Sequence, residues 1–172
     1  MPIRKTQDTS AALLYSSRRR GLVSRVIGSV PRFFTLLEAE SLLPQVERLV
    51  RTLIKLKKEY ETADAELSHI NQRIALTGGM SLPRDEVQQI RTHKDTSANG
   101  MKAAVENIQE MGCQLKDIET GLVDFPTLYR GEEVYLCWKL GESSIGFWHH
   151  VKDGFRGRQP IDSEFLANHG SG

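Results

Sequence analysis

The sequence predicts an α+β fold: a long antiparallel helical hairpin, coiled-coil-like, with a small antiparallel β-sheet at its base. Three observations predict it. Apolar or small residues recur from Ala39 to Ile74 in steps of three and four (Leu42, Val46, Leu49, Leu53, Leu56, Tyr60, Ala63, Leu67, Ile70), which is the stripe a helix buries against another helix. A second such seam follows a Gly-Gly break. After Gly121 the period drops to two, as in strands with two distinct faces.

The first helix opens on Thr35 and Glu38, a capping box whose hydroxyl and carboxylate satisfy the free amides of the first turn, with Phe34 placed to staple onto Ala39. Pro44 lacks the N–H that the helix needs there, so a kink or a short first helix ending near Leu43 is expected. The helix then runs to Leu76, and Thr77-Gly78-Gly79 ends it. Ser81-Leu82-Pro83 restarts a helix whose seam reads Val87, Ile90, Lys94, Ser97, Met101, Ala104, Ile108, Met111, Leu115, Ile118. Its middle, with Lys94, Ser97 and Gly100, is weak, and Lys94 and Ser97 should face Ala63 to Leu67. Leu43, Val50 and Ile54 form a second apolar line beside the first seam. Either the C-terminal region or a second copy of the hairpin must cover it.

Glu133–Leu140 and Ile145–Val151 alternate as a β-hairpin around the four-residue turn Gly141–Ser144. If Leu140 faces Ile145, Trp138 pairs with Phe147 and Leu136 with His149, while Cys137 pairs with Trp148 and Tyr135 with His150. Leu122–Tyr129 contains Pro126 and suits an edge strand. The expected organisation is a disordered basic arm over 1–31, one domain over 32–161 and a flexible tail over 162–172.

Charge is unevenly spread. Arg4, Lys5, Arg18, Arg19, Arg20, Arg25 and Arg32 face a single acid, Asp8, so residues 1–32 carry +6 and the remainder −5 of a total of +1. An acidic body is a poor general nucleic-acid binder, although the basic arm offers contacts to nucleic acid or an anionic surface. The arm's Arg/Ser-rich composition is also that of an organellar transit peptide. No apolar run is long enough to span a bilayer. Two well-separated cysteines, Cys113 and Cys137, fit free thiols in a reducing compartment, and a cytoplasmic location is expected.

Several stretches resemble a known family. FTLLEAESLLP (Phe34–Pro44), GCQLKDIETGLVDFP (Gly112–Pro126), GEEVYLCWKLGE (Gly131–Glu142), FWHH (Phe147–His150) and GFRGRQP (Gly154–Pro160) are similar to the prokaryotic domain of unknown function 2203 family, over roughly Arg32 to Ile161. The resemblance implies the same layout of helical hairpin and strands. It brings no activity, substrate or cofactor.

Polar chemistry concentrates near the β-hairpin. His149, His150, Cys137 and Asp153 are the candidate metal ligands, with Asp117 and Asp124 close to the junction of helix and sheet. Adjacent histidines on a strand point to opposite faces, so both cannot ligate one ion without a bulge. The expected register puts Cys137 with His150, two donors where zinc needs three or four. Packed histidines are therefore the preferred reading. No cofactor is predicted, and zinc is the alternative. Arg156 and Arg158 either hold an anion or pin their loop, with Arg158 pairing to Asp117 or Asp124. G-x-S-x-G, H-E-x-x-H and phosphate-loop motifs are absent. The preferred function is a non-enzymatic interaction module that forms a homodimer through Leu43, Val50 and Ile54. The alternatives are a metal protein or enzyme at the β-hairpin, and an RNA- or ribosome-associated factor using the basic arm.

Overall fold

A computed structural model describes residues 32–77 and 84–170. The basic arm, the Gly78-Gly79 cap and the Ser81–Pro83 restart lie outside the described residues. Two long helices, α1 (Leu36–Thr77) and α2 (Arg84–Glu110), pack against each other. A five-stranded antiparallel sheet follows in the order β1 (Gln114–Asp117), β2 (Leu122–Tyr129), β3 (Glu132–Lys139), β4 (Phe147–His150) and β5 (Gln159–Pro160). A single 3-10 turn (Gly154–Gly157) joins β4 to β5, and a short helix, α3 (Ser163–Asn168), closes the chain. The architecture is the expected α+β fold.

The start of α1 forms as its sequence dictates. The Thr35 N–H donates to Glu38 Oε2 at 2.8 Å, and the Glu38 N–H donates to Thr35 Oγ1 at 3.2 Å. Phe34 and Ala39 are both buried in the core. Pro44 does not end the helix: α1 continues unbroken through it. Ala39, Leu43, Val46 and Val50 bury against the sheet on both sides of the proline, and that packing outweighs one missing helical hydrogen bond. Midway along the arm, Gly100 lets α2 approach α1 closely, since a Cβ there would lie 2.8 Å from Leu56 Cδ1. Lys94 reaches Asp64 at 2.6 Å and lies over the Tyr60 ring, in the region expected for it.

Four expectations are corrected. The second helix does not run to Ile118; it stops at Glu110 and Leu115 lies in β1. Gly112 takes φ +92, its N–H donates to Gln109 O at 2.9 Å, and the Cys113 N–H donates to Ile108 O at 3.2 Å. These are the two bonds of a Schellman motif, and both Ile108 and Cys113 are buried in the core. The heptad count passed through this stop because Leu115 happened to keep the period.

Second, β2 is not an edge strand but lies between β1 and β3. Its proline is tolerated because β1 pairs only with Leu122, Val123 and Asp124. Farther along, the Pro126 carbonyl accepts from the Phe34 N–H at 2.8 Å, so the proline's backbone edge faces away from β3.

Third, the apolar line of Leu43, Val50 and Ile54 is not left for a second copy. Leu43 and Val50 are buried in the core shared with the sheet, and Ile54 packs against it. The surface proposed for dimerisation is covered by the chain's own strands.

Fourth, the segment after Ile161 is not a frayed tail as far as Gly170. Asp162 caps α3 by accepting the Phe165 N–H at 2.8 Å, and Phe165 is 1% exposed. The signal was present as Asp162 three residues ahead of an aromatic.

Candidate metal centre

The β3–β4 register decides the site. The strands pair Cys137 with Phe147, Leu136 with Trp148, Tyr135 with His149 and Val134 with His150. This is one residue off the expected pairing, and a one-residue slip exchanges the faces of a strand. The cause is the connection over residues 140–146, longer than a four-residue turn. Glu142 folds back there: its carbonyl accepts from Trp138 Nε1 at 2.8 Å and its carboxylate accepts from the Lys139 N–H at 2.9 Å. Ile145 drops into the core instead of joining the ladder.

The face toward α1 carries Val123, Phe125, Val134, Leu136, Trp138 and Trp148, all in the core. By alternation, Asp124, Cys137 and His149 share the opposite face. They are buried there as well, at 1%, 0% and 2% exposure. One carboxylate oxygen of Asp124, the Cys137 sulfur and one ring nitrogen of His149 lie within 4.8 Å of one another. The structure thus brings two of the sequence-predicted ligands, Cys137 and His149, together with Asp124, which the sequence placed only nearby. It does not bring in the other two. His150 is half-buried on the other face with its ring 5.1 Å from that of Trp148, and Asp153 is exposed on the β4–β5 connection.

Hydrogen bonding places one hydrogen of His149. Its Nδ1 lies 2.8 Å from the His150 carbonyl oxygen. A carbonyl only accepts, so Nδ1 carries a hydrogen. Nε2 lies 3.2 Å from Asp124 Oδ2. With Nδ1 protonated, a neutral ring presents a lone pair at Nε2 to a carboxylate lone pair. A cation, either a proton or a metal ion, belongs between them. The second Asp124 oxygen, Oδ1, is buried without a hydrogen-bond partner among the described residues. Lys116 stands 3.8 Å from Oδ2 and packs over the Tyr135 ring. Burial, and next the negative charge of Asp124, push the Cys137 thiol up to about 12, so it is no free nucleophile.

Arg158 roofs this face. Its Nη2 donates to the Cys137 carbonyl at 3.0 Å and to Glu142 Oε2 at 2.8 Å, with the guanidinium over the rings of Phe147 and Phe155. Burial pushes the Glu142 carboxyl up, but the Arg158 and Lys139 hydrogen bonds outweigh it and hold the group below its ordinary value. Arg158 pairs with Glu142, not with Asp117 or Asp124. Asp117 instead accepts from Thr120 Oγ1 at 2.7 Å and the Glu119 N–H at 3.0 Å, making the β1–β2 turn. Arg156 is exposed.

Fold and site define an α+β protein with a helical hairpin and a buried carboxylate–thiol–imidazole cluster on the outer face of its sheet. The chain belongs to the family described as Uncharacterized conserved protein (DUF2203), whose model matches residues 32–161. Neither a curated protein nor a solved structure matches it. Among the described residues, no helix is long and apolar enough to cross a membrane.

Proposed function

We propose that the protein binds a divalent transition-metal ion, zinc by the chemistry of its donors, through Asp124, Cys137 and His149. The observation that carries this reading is the buried triad itself: His149 Nε2 faces Asp124 Oδ2 at 3.2 Å, and both donors and the Cys137 sulfur lie within 4.8 Å of one another. Thiolate, imidazole and carboxylate together suit zinc better than magnesium or calcium. Zinc bonds of about 2.0–2.3 Å place tetrahedral donors roughly 3.5 Å apart, so the cluster closes by about 1 Å at its widest pair. The His150 carbonyl on Nδ1 supplies the outer contact that ligating histidines usually have. Loading displaces the Cys137 proton, so uptake strengthens as pH rises. All three donors are buried.

The test is metal analysis of the full chain after equilibration with zinc and removal of the excess. The expected result is about one zinc per chain, lost in His149→Ala, with a stabilisation of about 2.7 kcal/mol at a hundredfold excess over Kd. Zinc far below one per chain, with melting unmoved by a chelator and both His149 nitrogens protonated by NMR, overturns the reading. The pair would then be an imidazolium–carboxylate bridge.

A second reading keeps self-association, moved to the far end of the arm. Leu67, Ile70, Val87 and Ile90 are only half-buried there, and Ile74 is 40% exposed. Two helices alone leave such a seam open on its flanks. Light scattering of the full chain at micromolar concentration is expected to give a dimer mass that Ile70→Glu converts to monomer. A wild-type monomer removes this reading.

A further inference from the structure

The C-terminal segment is held by the Arg130–Glu164 ion pair, by backbone bonds from Arg130 N–H to the Asn168 carbonyl and from Gly170 N–H to the Leu128 carbonyl, and by one imidazole that ties it to the start of α1. His169 Nε2 accepts the N–H of Leu36, the first residue of α1, at 2.7 Å. Its Nδ1 lies 3.0 Å from Thr127 Oγ1 on β2. The Thr127 hydroxyl spends its only hydrogen on the Phe34 carbonyl at 2.7 Å, so its oxygen accepts from Nδ1–H. Both ring nitrogens are therefore committed, and only the neutral ring satisfies them. The His169 ring stacks on Phe165, which in turn stacks on Trp148 and Tyr129.

We propose that His169 is an acid-sensitive latch: its neutral ring fastens α3 across Trp148 and onto the start of α1, and protonation releases it.

The physical reason is twofold. Protonation at Nε2 abolishes the acceptor that pairs the Leu36 amide. It also sets a positive charge at the positive end of a 42-residue helix. Among the described residues, no carboxylate is hydrogen-bonded or ion-paired to the ring to compensate that charge. Of the charged or titratable groups on the packed elements, among them Arg32, Glu38, Asp124, Tyr129, Arg130, His149, His150, Asp162 and Glu164, none has a described hydrogen bond or ion pair to the ring. Glu38 is engaged by Thr35, Asp162 by the Phe165 amide, and Glu164 by Arg130. Burial accordingly holds His169 below its ordinary value, with a backbone contact at Leu128 acting weakly the other way. The sign follows: docking is at full strength above the ordinary histidine range and is lost as pH falls through the lowered folded value. Release uncovers Phe165 and Trp148, now 1% and 6% exposed. His169 and α3 lie beyond the family-matched segment 32–161, while their partners Leu36 and Thr127 lie within it.

The experiment measures hydrogen-exchange protection factors of α3 in the full chain between pH 7.5 and 5, corrected for intrinsic exchange, with Trp148 emission in parallel. Wild type is expected to lose α3 protection on acidification, by up to about tenfold per pH unit while one proton is taken up. His169→Gln keeps an acceptor for Leu36 and does not titrate, so its α3 stays protected throughout. An unchanged wild-type α3 at pH 5 overturns the proposal. So does the same acid transition in His169→Gln, which would assign it to another group such as His149. If the glutamine variant fails to dock at pH 7.5, ring NMR of wild type decides. His169 protonating while α3 stays protected overturns the latch, and protonation and loss of protection with one midpoint supports it.

Discussion

Asp124→Ala is expected to destabilise the domain by about 3 kcal/mol, the cost of leaving the buried polar groups that face its carboxylate unpaired. That is a large share of the roughly 5–15 kcal/mol that holds an ordinary domain folded. Asp124 is 1% exposed and sits between His149 at 3.2 Å and Lys116 at 3.8 Å. Without it, the His149 edge faces an unsolvated gap between β2 and β4. Lys116 suffers less, since its side chain is 36% exposed and reaches water. The double variant Asp124→Leu/His149→Phe removes both members and fills the space. It should regain most of the loss, because well-packed apolar replacements of buried pairs are often neutral or better. Urea midpoints of the two variants, measured with chelator present, check this. A single variant within about 1 kcal/mol of wild type would show that the pair is not held tightly. With zinc supplied, neither variant should gain stability, whereas wild type should.

Gly121→Val is expected to cost about 3–5 kcal/mol, combining backbone strain with overpacking. Gly121 turns β1 into β2 at φ +65, and a Cβ there would lie 2.6 Å from Leu140 Cβ and 2.9 Å from Val50 Cγ1. A β-branched residue is a poor occupant of the left-handed region, and its methyls would separate the sheet from α1. Val50 is fully buried, so the clash cannot be relieved toward solvent. Gly131→Ala is the control. It has φ +79 with nothing within 4 Å of its Cβ, and carries only the strain of about 1–2 kcal/mol. Equal losses in the two variants would mean that the contact between turn and helix is soft.

The site was legible in part. Cys137 and His149 stood among the candidates because thiols and imidazoles near one hairpin are metal donors by chemistry alone. The companion chosen for Cys137 was wrong, His150 in place of His149. Side-chain direction in a strand depends on register, and the register came from a loop whose length was misjudged. Glu142 turns inward to Trp138, Lys139 and Arg158, and none of those contacts leaves a local mark in sequence. Asp124 was passed over because only pairing with β3 puts it beside Cys137. His169 was missed because a tail ending in Gly-Ser-Gly shows no period, and its contacts, Leu36 and Thr127, are distant in the chain.

What the sequence alone determined is everything set by short-range periodicity and capping: two seams, the Thr35–Glu38 start, the alternating strands, and hence an α+β fold with the sheet at the foot of the arm. These are legible because hydrogen bonds between near neighbours and the amphipathic period act within a few residues. Tertiary structure decided which faces met. It covered Leu43 and Val50 with the chain's own strands, and slid β4 by one residue so that His149 met Asp124 and Cys137. Those outcomes depend on contacts between residues far apart in sequence. A change of a single residue in one loop reverses which side chains face each other across a sheet, and no local pattern encodes that.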